Sequence, residues 1–313
     1  MKIRPHIHQE DKMTDTEKTN NAIYNFLFLA ICLFSYNTAS AGSIELFHVH
    51  GLSYSADGKT LYVPAHFGLV LYENGQWRNA PGPKHDYMGF AATRNAFYTS
   101  GHPAADSGMI NPFGLMKSAD SGRTWKRLGM TGEADFHVLA TSYGTNTVYV
   151  FNMGANSRLP SAGLYYTSDD GSKWNHAKGQ GAPQPFALAA HPAQSQRVAI
   201  GAKEGLFLSG DHGQTFKQVG TKAEVYGVWF DLNGDDLWYA GVKFSPFLVR
   251  RNLETQQEQF MKLPPMGRDA VDYITQNPAH KDEYAISTFQ RNVFLTRDAG
   301  KTWRQIARQG ATL

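Results

Sequence analysis

Cysteine is almost missing from this 313-residue chain; the one copy, Cys32, sits inside an apolar run near the N-terminus. No disulfide framework is available to the rest, so a packed core must hold the fold together. Long basic runs are also missing. The formal net charge is +3, and residues 1–41 contribute four basic and four acidic side chains that cancel. That distribution speaks against nucleic acid as a partner. Apolar runs long enough to span a bilayer are lacking as well. The longest uncharged apolar stretch, residues 22–36 (AIYNFLFLAICLFSY), is short for a membrane helix. It follows Lys2, Arg4, Lys12 and Lys18 and precedes Ala39-Ser40-Ala41, a small-x-small pattern. This order suits a secretory signal peptide over 1–41 and a periplasmic or secreted mature chain. An uncleaved anchor is the alternative; the mature part itself carries no span. The domain expected is then a single one over 42–313, long enough to bury a core.

What is abundant is glycine and aromatic residues: 30 glycines and 13% Phe, Trp and Tyr favour many short strands and turns. Four segments repeat: SADSGRTW (118–125), TSDDGSKW (167–174), SGDHGQTF (209–216) and TRDAGKTW (296–303). Each follows an apolar stretch such as GLYYT or GLFLS. The common elements are Asp120, Asp169, Asp211 and Asp298, then Gly122, Gly171, Gly213 and Gly300, then Trp125, Trp174, Phe216 and Trp303. Such a segment reads as a hairpin. Asp accepts backbone N–H groups in a turn, Gly supplies a φ > 0 position, and the aromatic opens the next strand. Residues 72–77 (YENGQW) keep the glycine and tryptophan, and 251–260 fills the same place without the pattern.

The four segments resemble the Asp-box (BNR) repeat of the sialidase- and sortilin-type β-propellers. Six units begin near His48, His85, Asp135, Pro185, Val225 and Ala270, spaced by 37 to 50 residues, the size of a four-stranded blade. We therefore expect an all-β, six-bladed propeller of four-stranded blades with Asp-box hairpins. Six is preferred to seven because no seventh strand set is found. Residues 44–47 are candidates for closing the ring against the last blade.

The resemblance to propellers implies a channel lined by each first strand, with a ligand face at the entry to strand 1 and the exit from strand 2. Six histidines fall there: His48, His50, His66, His85, His102 and His137. In HVHGL (48–52), extended backbone would set His48 and His50 side by side. Asp86, Asp135, Met88 and Met153 take comparable positions, and the 103–112 loop would hang over them with Asp106 and Met109. Imidazoles with nearby carboxylate and thioether groups suit a transition metal, copper or zinc, and nothing calls for an organic cofactor. Taken singly, each histidine also reads as a hydrogen-bonded turn or pore residue. His176, His191, His212 and His280 map to turns and outer edges.

An enzyme is the competing reading. Overall the chain is similar to exported bacterial Asp-box proteins labelled "glycosyl hydrolase", sharing HVHGL, the GHP turn and GEADFH (132–137). That likeness implies a glycosidase, for which a carboxylate pair is the minimum. Asp135, Asp269, Glu204, Glu224, Tyr226 and Tyr273 offer acids and a phenol, and Arg158, Arg268 and Arg291 map to the ligand face. The Arg-Ile-Pro segment of sialidases is absent from the mature part. A third possibility is a scaffold that uses this face for a protein partner, which an apolar patch there would favour.

Overall fold

The computed structural model describes residues 43–313, apart from Thr221. The expected signal peptide over 1–41 lies outside the described residues.

Why these strands form a ring follows from their burial. The second and third strands of the units are largely buried. Thr60–Ala65 and Gly68–Glu73 are buried on both faces except at Glu73. A strand loses its in/out alternation when both faces are covered. Stacking sheet on sheet around an axis covers both. The outer strands, such as Gln76–Asn79 and Lys126–Gly129, keep one solvent face and are polar.

Six antiparallel sheets result, each a simple meander, and no helix occurs among the described residues. Blade 1 comprises Ser53–Tyr54, Thr60–Ala65, Gly68–Glu73 and Gln76–Asn79; blade 2 Asp86–Ala92, Phe97–His102, Leu115–Ser118 and Lys126–Gly129. Blade 3 is Leu139–Thr141, Val148–Asn152, Gly163–Thr167 and Asn175–His176; blade 4 Ala187–Ala190, Val198–Ala202, Gly205–Ser209 and Lys217–Val219. Glu224–Phe230, Asp236–Val242, Pro246–Asn252 and Glu258–Phe260 form blade 5. Blade 6 is Val271–Gln276, Tyr284–Thr288, Val293–Thr296 and Arg304–Arg308, with a fifth strand, Ala311–Thr312. Each unit begins where the repeat spacing places it.

Six apolar clusters fill the six interfaces between neighbouring blades, the last joining blade 6 to blade 1. The ring is therefore a closed six-bladed propeller. Closure uses the segment anticipated for it. Leu46 N donates to Gly310 O (2.7 Å), Thr312 N to Ile44 O (3.1 Å), and Glu45 pairs with Ala311. Leu46 is wholly buried between the first and last blades. Trp77 Nε1 adds a bond to Ile306 O (2.9 Å), and Arg304 reaches the Tyr72 hydroxyl (2.7 Å).

The four repeats form near-identical hairpins between third and fourth strands. In the first, Asp120 Oδ1 accepts from Thr124 N (2.9 Å) and Ser118 Oγ (2.8 Å), and Oδ2 from Thr124 Oγ1 (2.6 Å). Ser118 Oγ in turn accepts from Gly122 N (2.8 Å). The other three repeats reproduce the opening Ser/Thr-to-Asp and Gly-to-Ser/Thr bonds. Two consecutive left-handed positions make the turn, not glycine alone. Ser121, Asp170, His212 and Ala299 have φ of 55 to 62°, ahead of the glycines at 78 to 83°. Glycine is needed twice over at Gly213, where a Cβ would also sit 2.7 Å from Leu164 of the preceding blade. The closing aromatics pack backward onto that blade: Phe216 joins the cluster between blades 3 and 4, and Trp303 that between blades 5 and 6.

Candidate functional site

First strands line a channel, and one cavity of about 870 Å³ opens into it from the ligand face. Its wall includes residues from every first strand or its entry, among them His50, Phe90, His137, Ala187, Tyr226 and Asp272.

On the side of blades 1 to 3, five histidines and two aspartates come together. The chain enters blade 1 beside its own second strand: Val49 pairs with Ala65, His50 N donates to Pro64 O (3.0 Å), and His66 N to Phe47 O (2.9 Å). His48 is not in extended backbone, as HVHGL led us to expect; its φ is +50° and the first strand starts only at Ser53. The two rings are nevertheless nearly parallel, 6.0 Å apart, and His66 lies 5.8 Å from His48. Asp86 opens blade 2 between them, with Oδ2 2.7 Å from His66 Nδ1 and Oδ1 3.3 Å from His50 Nε2. Burial would raise the Asp86 pKa; His50 and His66 outweigh it and hold the carboxyl below its ordinary range.

Asp86 is the cross-strand neighbour of His102 in blade 2. His102 belongs to the second half of the cluster. Asp135 Oδ2 lies 3.2 Å from His102 Nε2 and 2.6 Å from His137 Nε2. The hydrogen bond that His137 donates to Asp135 raises the His137 pKa against the opposing effect of burial. Among the described residues this is the one trio whose donor atoms all lie within 4.8 Å of one another. His50 Nε2 and Asp86 Oδ1 are buried facing each other at 3.3 Å, and Asp135 Oδ1 is buried without a hydrogen-bond partner. Buried polar atoms are ordinarily paired, so Asp135 Oδ1 marks a place where something else is to be met.

His85 does not join them. It is 3% exposed, packs against Tyr87 and Phe113, and its Nδ1 accepts from Ala104 N (3.0 Å). Desolvation lowers its pKa. Its place is under the 103–112 loop, which it anchors. Met109 of that loop packs on the apolar cluster between blades 1 and 2 instead of hanging over the mouth. Met88 lies against Gly101 within blade 2. Met153 is 68% exposed and lines a separate cleft of about 380 Å³ between blades 3 and 4. The Met153 thioether thus stands apart from the imidazole–carboxylate cluster.

One participant was missed. Asn111 Oδ1 lies 2.7 Å from His102 Nδ1. An amide oxygen there holds the Nδ1–H tautomer and turns Nε2 toward Asp135. Asn111 sits in the loop, nine residues from His102, with no local pattern to signal it.

On the side of blades 4 to 6 the wall is aromatic. Phe186 stacks on Tyr226 (5.5 Å, 17°), and Phe289 meets Tyr226 edge-on (5.0 Å, 87°). The Tyr226 hydroxyl donates to Glu224, and this bond pushes its pKa up to about 12. Asp272, Tyr273 and Arg291 line the same wall. Desolvation pushes the Asp272 carboxyl up to about 7. The arginines named for substrate binding do not gather: Arg291 alone among the three lines the cavity, and Arg158 reaches Leu128 O. Asp269 is committed to structure, accepting from Ala270 N, Gln290 N and Asn292 Nδ2.

The rim carries apolar side chains. Phe47, Phe67, Ile110, Met153, Phe186, Phe244 and Phe289 are each at least 40% exposed, and all lie in strand-1 entries or strand-2 exits. Every blade contributes to this set.

The fold is that of a six-bladed β-propeller whose solved neighbours include glycoside hydrolases of the GH74 family. Particular likenesses are distant. The GH74 enzyme of Niastella koreensis superposes with a TM-score of 0.60 at 15% identity, over 84% of this chain and 46% of that one. The GH74 xyloglucanase from Xanthomonas campestris gives 0.53 at 15% identity, over 85% and 46%. The extracellular domain of a putative hybrid two-component system from B. thetaiotaomicron gives 0.53 at 10%, over 84% and 34%. In sequence, a probable oligoxyloglucan-reducing end-specific xyloglucanase of Neosartorya fischeri is 23% identical over 210 residues, 62% of this chain. The chain spans 24% of that relative's length and under half of the solved neighbours'. No family model matches the chain.

Proposed function

We propose that this is an exported binding propeller that holds a divalent transition metal, copper or zinc, at the histidine side of its mouth. The observation that carries the reading is the trio His102, Asp135 and His137, with donor atoms within 4.8 Å of one another. A tetrahedral ion with bonds of about 2.1 Å draws its donors to about 3.4 Å apart. The rings of His102 and His137 are 40% and 57% exposed and have room to close that gap. Asn111 behind His102 supplies the outer hydrogen bond that metal-binding imidazoles ordinarily have. His48, His50 and His66 with Asp86 form a neighbouring set that supports the trio. The extracellular setting of a solved neighbour's domain accords with export.

Zinc and copper titrations of chelator-washed protein test this. Near-stoichiometric binding should disappear in His102→Ala/His137→Ala and persist in Met153→Ala. Equal binding by wild type and the double variant would refute the site.

A second reading is glycoside hydrolysis. The names of the relative and of the solved neighbours favour it over metal binding, although the likeness itself carries only the fold. Its own structural support is the 870 Å³ cavity with Asp272, whose carboxyl keeps a proton to about pH 7 as a general acid must. Release of reducing ends from xyloglucan oligosaccharides, abolished by Asp272→Asn, is the matching assay.

A further inference from the structure

The wall across the channel from the histidines has features that metal binding does not use. Phe186 and Phe289 are 46% and 57% exposed, yet neither is loose. Both pack on Tyr226, whose hydroxyl is fixed by Glu224, and their backbone amides bond to Gly201 O and Ala270 O. Three rings are thus held rigid with apolar faces left toward the cavity. Beside them, Asp272 receives both of its hydrogen bonds, from Tyr273 N (2.7 Å) and Ser287 Oγ (2.6 Å), on Oδ1. Oδ2 is left for a ligand. Arg291 adds a donor group on the same wall. Its backbone is in the left-handed region (φ 60°), and Arg291 N bonds to Thr288 O (2.7 Å), so a tight turn places it there.

We propose that Phe186, Tyr226 and Phe289 form a stacking platform for a sugar ring, with Asp272 and Arg291 bonding its hydroxyls. A saccharide fits because one molecule offers both a C–H face and a rim of hydroxyls. A purely apolar ligand would leave Asp272 Oδ2 facing it unused, and Arg291 with only its ion pair to Glu45 (3.7 Å). A small anion would ignore the rings and face the Asp272 carboxyl. The cavity volume lies in the range of small-molecule sites, so the saccharide is short. This inference deepens the second reading above and rests on the glycan chemistry of that reading, not on the metal.

The test is calorimetric titration of chelator-washed, full-length protein with xyloglucan, cello- and chito-oligosaccharides, with reducing-end release followed in parallel. Binding of one of these sugars is expected. It should weaken about tenfold or more in Phe186→Ala/Phe289→Ala, the scale of a lost ring contact. Phe260→Ala, on the outer strand of blade 5, serves as control and should bind as wild type, and circular dichroism checks that each variant folds. Binding without cleavage keeps the platform and removes the hydrolase reading. Cleavage unaffected by the double variant keeps the hydrolase and overturns the platform. Failure to bind any of the three sugar classes overturns the platform outright.

Discussion

The two faces of the propeller use aspartate in opposite ways. On the hairpin face, Asp120, Asp211 and Asp298 have both oxygens engaged by their own turns. On the channel face, Asp86 meets His50 and His66 of blade 1, and Asp135 meets His102 of blade 2 while its other oxygen is buried without a hydrogen-bond partner. A carboxylate whose donors come from its own turn is part of the fold. One whose donors arrive from other blades depends on the ring being assembled. The first kind is local and repeats; the second is assembled by the ring and occurs once.

Several substitutions sharpen or break this contrast. The largest effect on folding should come from the closing aromatics. Phe216→Ala removes a ring that is 6% exposed between blades 3 and 4 and should cost about 3–4 kcal/mol. Phe260, on the fourth strand of blade 5 where the repeat is lost, is 65% exposed. Its change to alanine should stay within about 0.5 kcal/mol in urea melts. Equal losses would mean that the intact repeats are no better packed than the degenerate one.

Asp120→Ala comes next, at about 1–2 kcal/mol for its lost turn bonds, with metal titration unchanged. The same carboxylate has a pH signature. Its hydrogen bonds with Thr124 hold the pKa at about 2, below the ordinary 3.8. The folded-state value is depressed, so its contribution is complete above about pH 4 and is lost as pH falls toward 2. Thermal melts of wild type and Asp120→Ala should therefore differ at pH 6 and converge near pH 2. A difference that survives at pH 2 would show that the loss is not one of carboxylate hydrogen bonding.

The channel face is tested through the shape of the pH profile. Asp272 has its pKa raised to about 7 by desolvation. Between about pH 4 and pH 7 the unfolded chain has released this proton and the folded chain retains it, so the group makes stability fall as pH rises through that window. Asp272→Asn should flatten that part of the profile. A parallel profile for the variant would mean that the carboxyl is solvated like a surface group.

The elements legible in the chain were those whose physics is local. Repeats such as SGDHGQTF carry turn, glycine and aromatic within eight residues, so blade number and the hairpins followed from spacing. Residues 44–47 were legible as a candidate closing segment, but not how they would pair with the last blade. The Asp86 and Asp135 pairings were half visible: counting strand ends put six histidines at one mouth, but could not say which would touch. His85 misled because its position matched the others; only packing against Tyr87 and Phe113 reveals that it supports the loop. Asn111, Phe186 and Phe289 left no signal; Tyr226 was visible as a phenol, but not the rings of Phe186 and Phe289 that meet it from other blades.

Anomalous diffraction from zinc-soaked crystals tests the central claim most directly. The account places a peak bonded to His102, Asp135 and His137 at about 2.0–2.2 Å. A featureless map at this trio, with zinc bound elsewhere or nowhere, would contradict it and leave these histidines as pore residues paired only with aspartate.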